Sequence, residues 1–248
     1  MLSCNTKDLT LACLRALAAY GRWLCLLNSD TEVRPGALDR LVDWLETHRD
    51  HAMAAPRLVN PDGTVQRACM RFPGLLTAFV FDMSWAKRRP WKWIDDRYHM
   101  RDFDHLASRD VDQPPGACCV VDRAEYLALG GLDERLWLFF NDVDFCKRLK
   151  RRGRRIRYVA DAEVMHHVGS STKRFERLIV TWHRNRIAYY VKHYGGWVRP
   201  YLHQVVRLRA KQERDKLLRE LHDAGEQRAA LAHLAQTVDA IFAPEVAR

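Results

Sequence analysis

Gly116-Ala117-Cys118-Cys119-Val120-Val121-Asp122, followed by Gly130-Gly131-Leu132-Asp133-Glu134 and Asn141-Asp142-Val143-Asp144, is the stretch that decides the fold. It reads as a small-residue turn, a strand over 117–121, a helix over 123–129 and a tight Gly-Gly turn. An acidic cluster then opens a longer helix over 142–152. Further on come His166-His167-Val168-Gly169-Ser170-Ser171, after a short strand. Upstream, Trp23–Leu27 is a continuous apolar run of the kind found in buried parallel strands, and Asn28-Ser29-Asp30 is the acidic turn that leaves it. Two acidic turns and a histidine, all at strand ends, bring a carboxylate base and a metal-binding imidazole to one rim of a sheet. Metal-assisted group transfer is the chemistry they suggest. Strands alternating with helices give an α/β class.

Outward from this block the periodicities continue. Leu9–Ala19 has helical spacing, and Pro35 suits the first turn of a helix whose apolar stripe is Leu38, Leu41, Val42 and Leu45. Residues 52–59, the Asn60-Pro61-Asp62-Gly63 turn and residues 64–69 read as a hairpin. Residues 72–110 are the least regular. Residues 156–159 and 163–166 read as two short strands, and 175–193 as a helix that Gly195-Gly196 stops. From Tyr201 to about Phe242 the chain is helical and charged, with an interruption near Gly225.

A chain of 248 residues with 48% apolar content and eight Trp can bury a substantial core. No apolar run approaches the roughly 18–20 residues of a membrane-spanning helix. The N-terminus has no basic segment leading into an apolar stretch, so no signal peptide is expected. The seven Cys include no CxxC pair and no zinc-type spacing; Cys25, Cys118 and Cys119 sit in apolar runs as small core residues. A reduced cytoplasmic setting is the expectation. The net charge of +10 favours a polyanionic partner: nucleotide phosphates, an anionic membrane leaflet or nucleic acid. Nucleic acid is disfavoured, because the chain lacks an RNP-like aromatic pattern, a zinc finger and a clear recognition helix. In Trp85-Ala86-Lys87-Arg88-Arg89-Pro90-Trp91-Lys92-Trp93 the interleaved rings and cations suit a lipid interface, a phosphate-bearing acceptor or stacking on nucleic-acid bases, and equally a loop that packs its Trp on the core.

These segments also resemble family 2 inverting glycosyltransferases, in their rhamnosyltransferase-like subgroup. Leu26–Val33 resembles the family's LNSD/DxD segment, Asn60–Gly63 its NPDG hairpin, Gly116–Asp144 its GA…GG-DE…(E)DVD block and Val164–Ser171 its V-H-H-x-G-S-S segment, in that order. The resemblance implies a GT-A-like (Rossmann-like), mostly parallel sheet flanked by helices over 1–198, with a helical tail over 199–248. It implies transfer of a sugar, with inversion, from a nucleotide-sugar donor to a hydroxyl of a lipid-linked or cell-surface polysaccharide acceptor. The protein would work in the cytoplasm or as a peripheral protein on the cytoplasmic face of a membrane.

By the same resemblance, Asp142 is the catalytic base, and Asp30 and His166 (His167 as fallback) bind a divalent cation, Mg²⁺ or Mn²⁺. Asn28, Ser29 and Asp30, with Ser170 and Ser171, lie at the donor's phosphates. Taken alone, each has a plainer reading: Asp30 an Asx-turn, Asp142 a helix cap, His166 a structural imidazole, and the serines caps of the next segment. Asn141 replaces the Glu usual before the catalytic aspartate, and Asp144 is expected to orient neighbours. Arg184, Arg186, Lys192 and His193 are candidates for pyrophosphate contact. Leu2–Leu9 resembles the end of the first family strand, yet Ala19-Tyr20 runs straight into Gly21-Arg22. The expectation is a chain shortened near 19–22 on its nucleotide-binding side, and the alternative function is an inactive remnant serving as a membrane-surface or scaffold protein.

Overall fold

The computed structural model describes residues 21–83, 85, 90–167 and 175–243. The helix expected over 9–19 lies outside them. Six strands, β1 (Trp23–Leu27), β2 (Thr31–Val33), β3 (His51–Val59), β4 (Arg109–Asp110), β5 (Cys118–Asp122) and β6 (Arg155–His166), form one sheet. Among the described residues the α-helices are α1 (Ala37–Thr47), α2 (Leu75–Asp82), α3 (Lys92–Tyr98), α4 (Arg123–Ala128), α5 (Asn141–Arg151), α6 (Phe175–Tyr194), α7 (Val198–Glu220) and α8 (Ala224–Phe242).

The α/β class holds, and the sheet order is β1-β5-β3-β6-β2 with β4 also on β6. The expectation of a mostly parallel sheet is corrected. Among the described pairings only β3 with β6 is parallel; β1–β5, β3–β5, β2–β6 and β4–β6 are antiparallel. Apolar runs report burial on two faces, and direction is set by partners far away in sequence. The reading of β1 as fully buried is corrected too: Leu24 is buried, but Cys25 and Leu27 are exposed. Residues 156–159 and 163–166 join in the single strand β6, with a register shift opposite Pro56, which has no N–H for the ladder.

The turn expected at Asn60–Gly63 is present, closed by Asn60 N–H to Thr64 O (2.8 Å) and Gly63 N–H to Asn60 O (2.9 Å). The second hairpin strand is not. After one rung, Gln66 N–H to Leu58 O at 2.9 Å, the chain leaves β3, which β6 already pairs along its length.

Two compact units divide the chain. The sheet unit comprises 21–72, 96–134 and 141–167 of the described residues. One face packs Leu41 and Leu45 of α1, spaced one turn apart, on Ala54, Leu58, Val120 and Val164. The other packs Phe145, Cys146 and Leu149 of α5 on Met53, Val121 and Tyr158. At about 25 cal/mol per Å² of apolar surface, each such leucine contributes on the order of 1.5–3 kcal/mol.

The helical unit comprises 73–95, 135–140 and 175–243. Val80, Met83, Ile94 and Val205 form a core there. Three tyrosine hydroxyls, of Tyr190, Tyr194 and Tyr201, donate to the carbonyls of Gly74, Pro73 and Leu75 at 2.8–2.9 Å. The helices beyond 198 therefore pack with α6 and with 73–95, so the compact units do not follow the expected boundary at 198. Gly195, at φ 97°, ends α6 as expected. The break in the last helical stretch falls before Gly225, where Asp223 caps α8 by accepting from Gly225 and Glu226 N–H at 2.8 Å each.

Candidate active site

Directions along the sheet place the ends of β1, β3 and β6 and the start of β5 at one rim. Three of the expected residues meet there. β2 pairs antiparallel with the end of β6, setting Thr31 opposite His166. The His167 N–H closes the corner on the Asp30 carbonyl at 2.9 Å. Asp30 Oδ1 consequently lies 3.4 Å from His166 Nε2, with the two side chains only 14% and 18% exposed. On its other edge the His166 ring has Nδ1 3.1 Å from Gln66 Oε1. His167 instead turns Nε2 to Glu32 at 2.7 Å, away from the fallback role.

Asp142 opens α5 and rests on the backbone of Gly116. A Cβ at position 116 would fall 2.7 Å from Asp142 Oδ2. Oδ1 accepts the Val143 N–H at 2.8 Å. Although Asp142 keeps some solvent exposure, the protein packed around it raises its carboxyl above the ordinary value, and the Val143 and Gly116 N–H groups oppose that rise. The Asn28 N–H donates to the Ala117 carbonyl at 2.8 Å. The turn holding Asp30 is thus one hydrogen bond away from the Gly116-Ala117 turn that holds Asp142. Just before α5, Phe139 and Phe140 take left-handed backbone (φ 63° and 60°), a conformation costing non-glycine residues about 1–2 kcal/mol each.

Asn28 and Ser29 are exposed on the same turn. Ser170 and Ser171 lie outside the described residues. Asp144 is fully buried and orients neighbours as expected: it binds Arg148 Nε at 2.7 Å, and the guanidinium also donates to the carbonyls of Leu129 (2.8 Å) and Gly131 (2.7 Å). Arg184 and Arg186 have partners within the helical unit. Arg184 donates to the Ala240 carbonyl at 2.9 Å, and Arg186, 2% exposed, stacks over Trp182. Cys118 and Cys119 are core thiols as expected, whereas Cys25 is exposed. Gln66 is the neighbour that sequence reading missed; no local pattern signals it, because its partner is 100 residues away.

Asp30 and His166 offer one oxygen and one imidazole nitrogen, a donor pair suited to Mg²⁺ or Mn²⁺. No group of three or more His, Cys, Asp or Glu able to hold a metal occurs among the described residues. Such an ion would take its remaining ligands from phosphate oxygens and water.

An α/β sheet with a carboxylate–imidazole pair and a second carboxylate at one rim is the framework that the sequence resemblance implied. The chain belongs to the family described as glycosyltransferase like family 2, whose profile matches residues 3–185. It is 29% identical over 189 residues to the N-acetylglucosaminyl-diphospho-decaprenol L-rhamnosyltransferase of Mycobacterium tuberculosis, covering 75% of this chain and 60% of that protein. It is 29% identical over 160 residues to the O-antigen biosynthesis protein RfbC of Myxococcus xanthus, covering 64% of this chain and 12% of that protein. The chain thus spans less than two thirds of either relative. Among solved structures, the mannosyltransferase PcManGT from Pyrobaculum calidifontis, in complex with GDP-Man and Mn²⁺, is similar over 96% of this chain and 66% of that one, at 12% identity and a TM-score of 0.45. The family match runs across positions 19–22, and nothing in these comparisons marks a shortening there.

Proposed function

We propose that this chain transfers a sugar from a nucleotide-sugar donor to a hydroxyl of a lipid-linked or polysaccharide acceptor, inverting the anomeric carbon. One observation carries the reading: in a member of this family, the Asp30–His166 pair and Asp142 sit on adjoining turns of one sheet rim. Asp142 removes the proton of the acceptor hydroxyl as its oxygen bonds to the anomeric carbon. The bond from that carbon to the diphosphate oxygen breaks on the opposite face, releasing nucleoside diphosphate. A raised carboxyl pKa suits a base, since it narrows the gap to the hydroxyl it deprotonates. Asp30 and His166 would hold the divalent cation, which when bound neutralises charge on the leaving diphosphate. Asn28 and Ser29, exposed beside Asp30, would bind the donor phosphates.

The lipid-linked acceptor is suggested by the relative that acts on a decaprenol-linked sugar. No described helix is long and apolar enough to cross a membrane. Trp85, Trp91 and Trp93 of the helical unit are exposed, with the Trp85 and Trp91 ring centroids 5.9 Å apart, and Lys92 stands exposed between the last two. This edge supports docking on an anionic bilayer. No observation favours the inactive-remnant alternative.

Turnover of UDP- and dTDP-sugars with Mn²⁺ onto polyprenyl-diphosphate-linked sugar tests the proposal. Asp142→Asn is expected to lower kcat about 10²–10⁴-fold with the fold intact. Full activity in that variant would refute the assignment.

A further inference from the structure

The turn after β3 reaches the site through Gln66. Its amide nitrogen donates to the His166 carbonyl (2.7 Å), to Asn60 Oδ1 (2.8 Å) and, more weakly, to the Val59 carbonyl (3.4 Å). Two of these are backbone carbonyls, which can only accept. A flipped Gln66 amide would set its oxygen against both. The Asn60 amide is fixed in turn. Its nitrogen donates to Thr64 Oγ1 (2.8 Å), because that hydroxyl gives its own proton to Asp62 Oδ1 (2.6 Å).

Gln66 Oε1 is therefore the atom 3.1 Å from His166 Nδ1, and an amide oxygen has no proton to give. The proton in that hydrogen bond belongs to Nδ1. In the neutral ring the lone pair is then on Nε2, the atom 3.4 Å from Asp30 Oδ1.

We infer that Gln66 is a positioning residue that locks His166 in its Nδ1–H tautomer and turns the Nε2 lone pair to the Asp30 side of the ring. The inference rests on the reading of Asp30 and His166 as the cation-binding pair, since only then does the direction of that lone pair matter for function. It assigns a role to the whole Asn60–Gln66 turn: Asp62 orders Thr64, Thr64 orders Asn60, Asn60 orders Gln66, and Gln66 orders the ligand. A metal-binding histidine whose other nitrogen loses its partner typically loses 10–100-fold in metal affinity.

The test is long-range ¹H–¹⁵N correlation of the imidazoles in the full chain, metal-free and at alkaline pH, with the His166 signals assigned through His166→Asn. Wild type is expected in the Nδ1–H form. Gln66→Met, whose thioether is at best a weak acceptor, is expected to shift His166 toward Nε2–H. Titration of Mn²⁺ alone should be about 10–100-fold weaker in Gln66→Met. An Nε2–H ring in wild type, or an unchanged tautomer in Gln66→Met, would overturn the role of Gln66. A tautomer that shifts while Mn²⁺ affinity stays constant would uphold Gln66 as the residue that sets the ring and would remove His166 as a ligand.

Discussion

At Gly116 the side chain is missing for a reason that can be measured. An alanine there would drive its methyl to 2.7 Å from Asp142 Oδ2, so the carboxylate must move. A displacement of about 1 Å at a reacting group costs about 10²-fold in rate, and that loss is the expected effect of Gly116→Ala on kcat. The clash also reaches Asp142 Cβ and Cγ, at 3.2 and 3.3 Å, so a modest fall in melting temperature should accompany the loss of rate. The pH profile follows from the raised carboxyl. A base must be ionised to act, so turnover falls as pH drops through the Asp142 pKa, and the acid limb lies above the ordinary value of about 3.9. A limb at or below that value would contradict the environment described. The positions of Asp30 and His166 after strands and of Asp142 at a helix start were legible in the sequence, while the roles expected of them came from the family resemblance. Gln66 was not legible, since only the fold brings the turn after β3 to the end of β6.

Helix α5 (141–151) shows how an element can hold more than its own residues. Asp144, with no exposure, pairs with Arg148, which in turn ties down the carbonyls of Leu129 and Gly131 after α4 (123–128). Removing one partner of a buried pair strands the other charge, so Asp144→Ala is expected to destabilise the protein by about 3–5 kcal/mol, read as a lower denaturation midpoint. A change below about 1 kcal/mol would mean the clamp adds nothing beyond solvation. The basic run 147–157 is mostly committed to carboxylates: Arg152 and Arg154 to Glu125, Arg155 to Asp50 and Asp110, Arg157 to Asp110. Beside these cations the Asp50 carboxyl falls to about 2, with the His51 contact its largest cause and Arg155 next. Helices were legible because their period is local. Strand direction, the fusion of two segments into β6 (155–166) and the lost second hairpin strand were not, since each depends on pairing between distant segments.

Over the whole molecule, charge is divided unevenly. Counted over the full sequence, the helical unit has nineteen basic and ten acidic residues, the sheet unit twenty-two and twenty-one. Nearly all of the +10 therefore belongs to the unit bearing Trp85, Trp91 and Trp93. Flotation with phosphatidylglycerol vesicles, compared with phosphatidylcholine alone, should recover the protein only with the anionic lipid. Binding should weaken with salt and in the triple Trp→Ser variant; equal recovery on both lipids would remove the electrostatic part of the account. Whether the sheet unit binds a nucleotide through a cation at Asp30 is decided by calorimetric titration of UDP and of dTDP, with Mn²⁺, into the purified protein and into Asp30→Ala. Wild type is expected to bind at least one nucleotide in a metal-dependent way, and the variant to lose that binding. A folded wild type that binds neither, or an Asp30→Ala protein that binds as well, would overturn the proposed donor site.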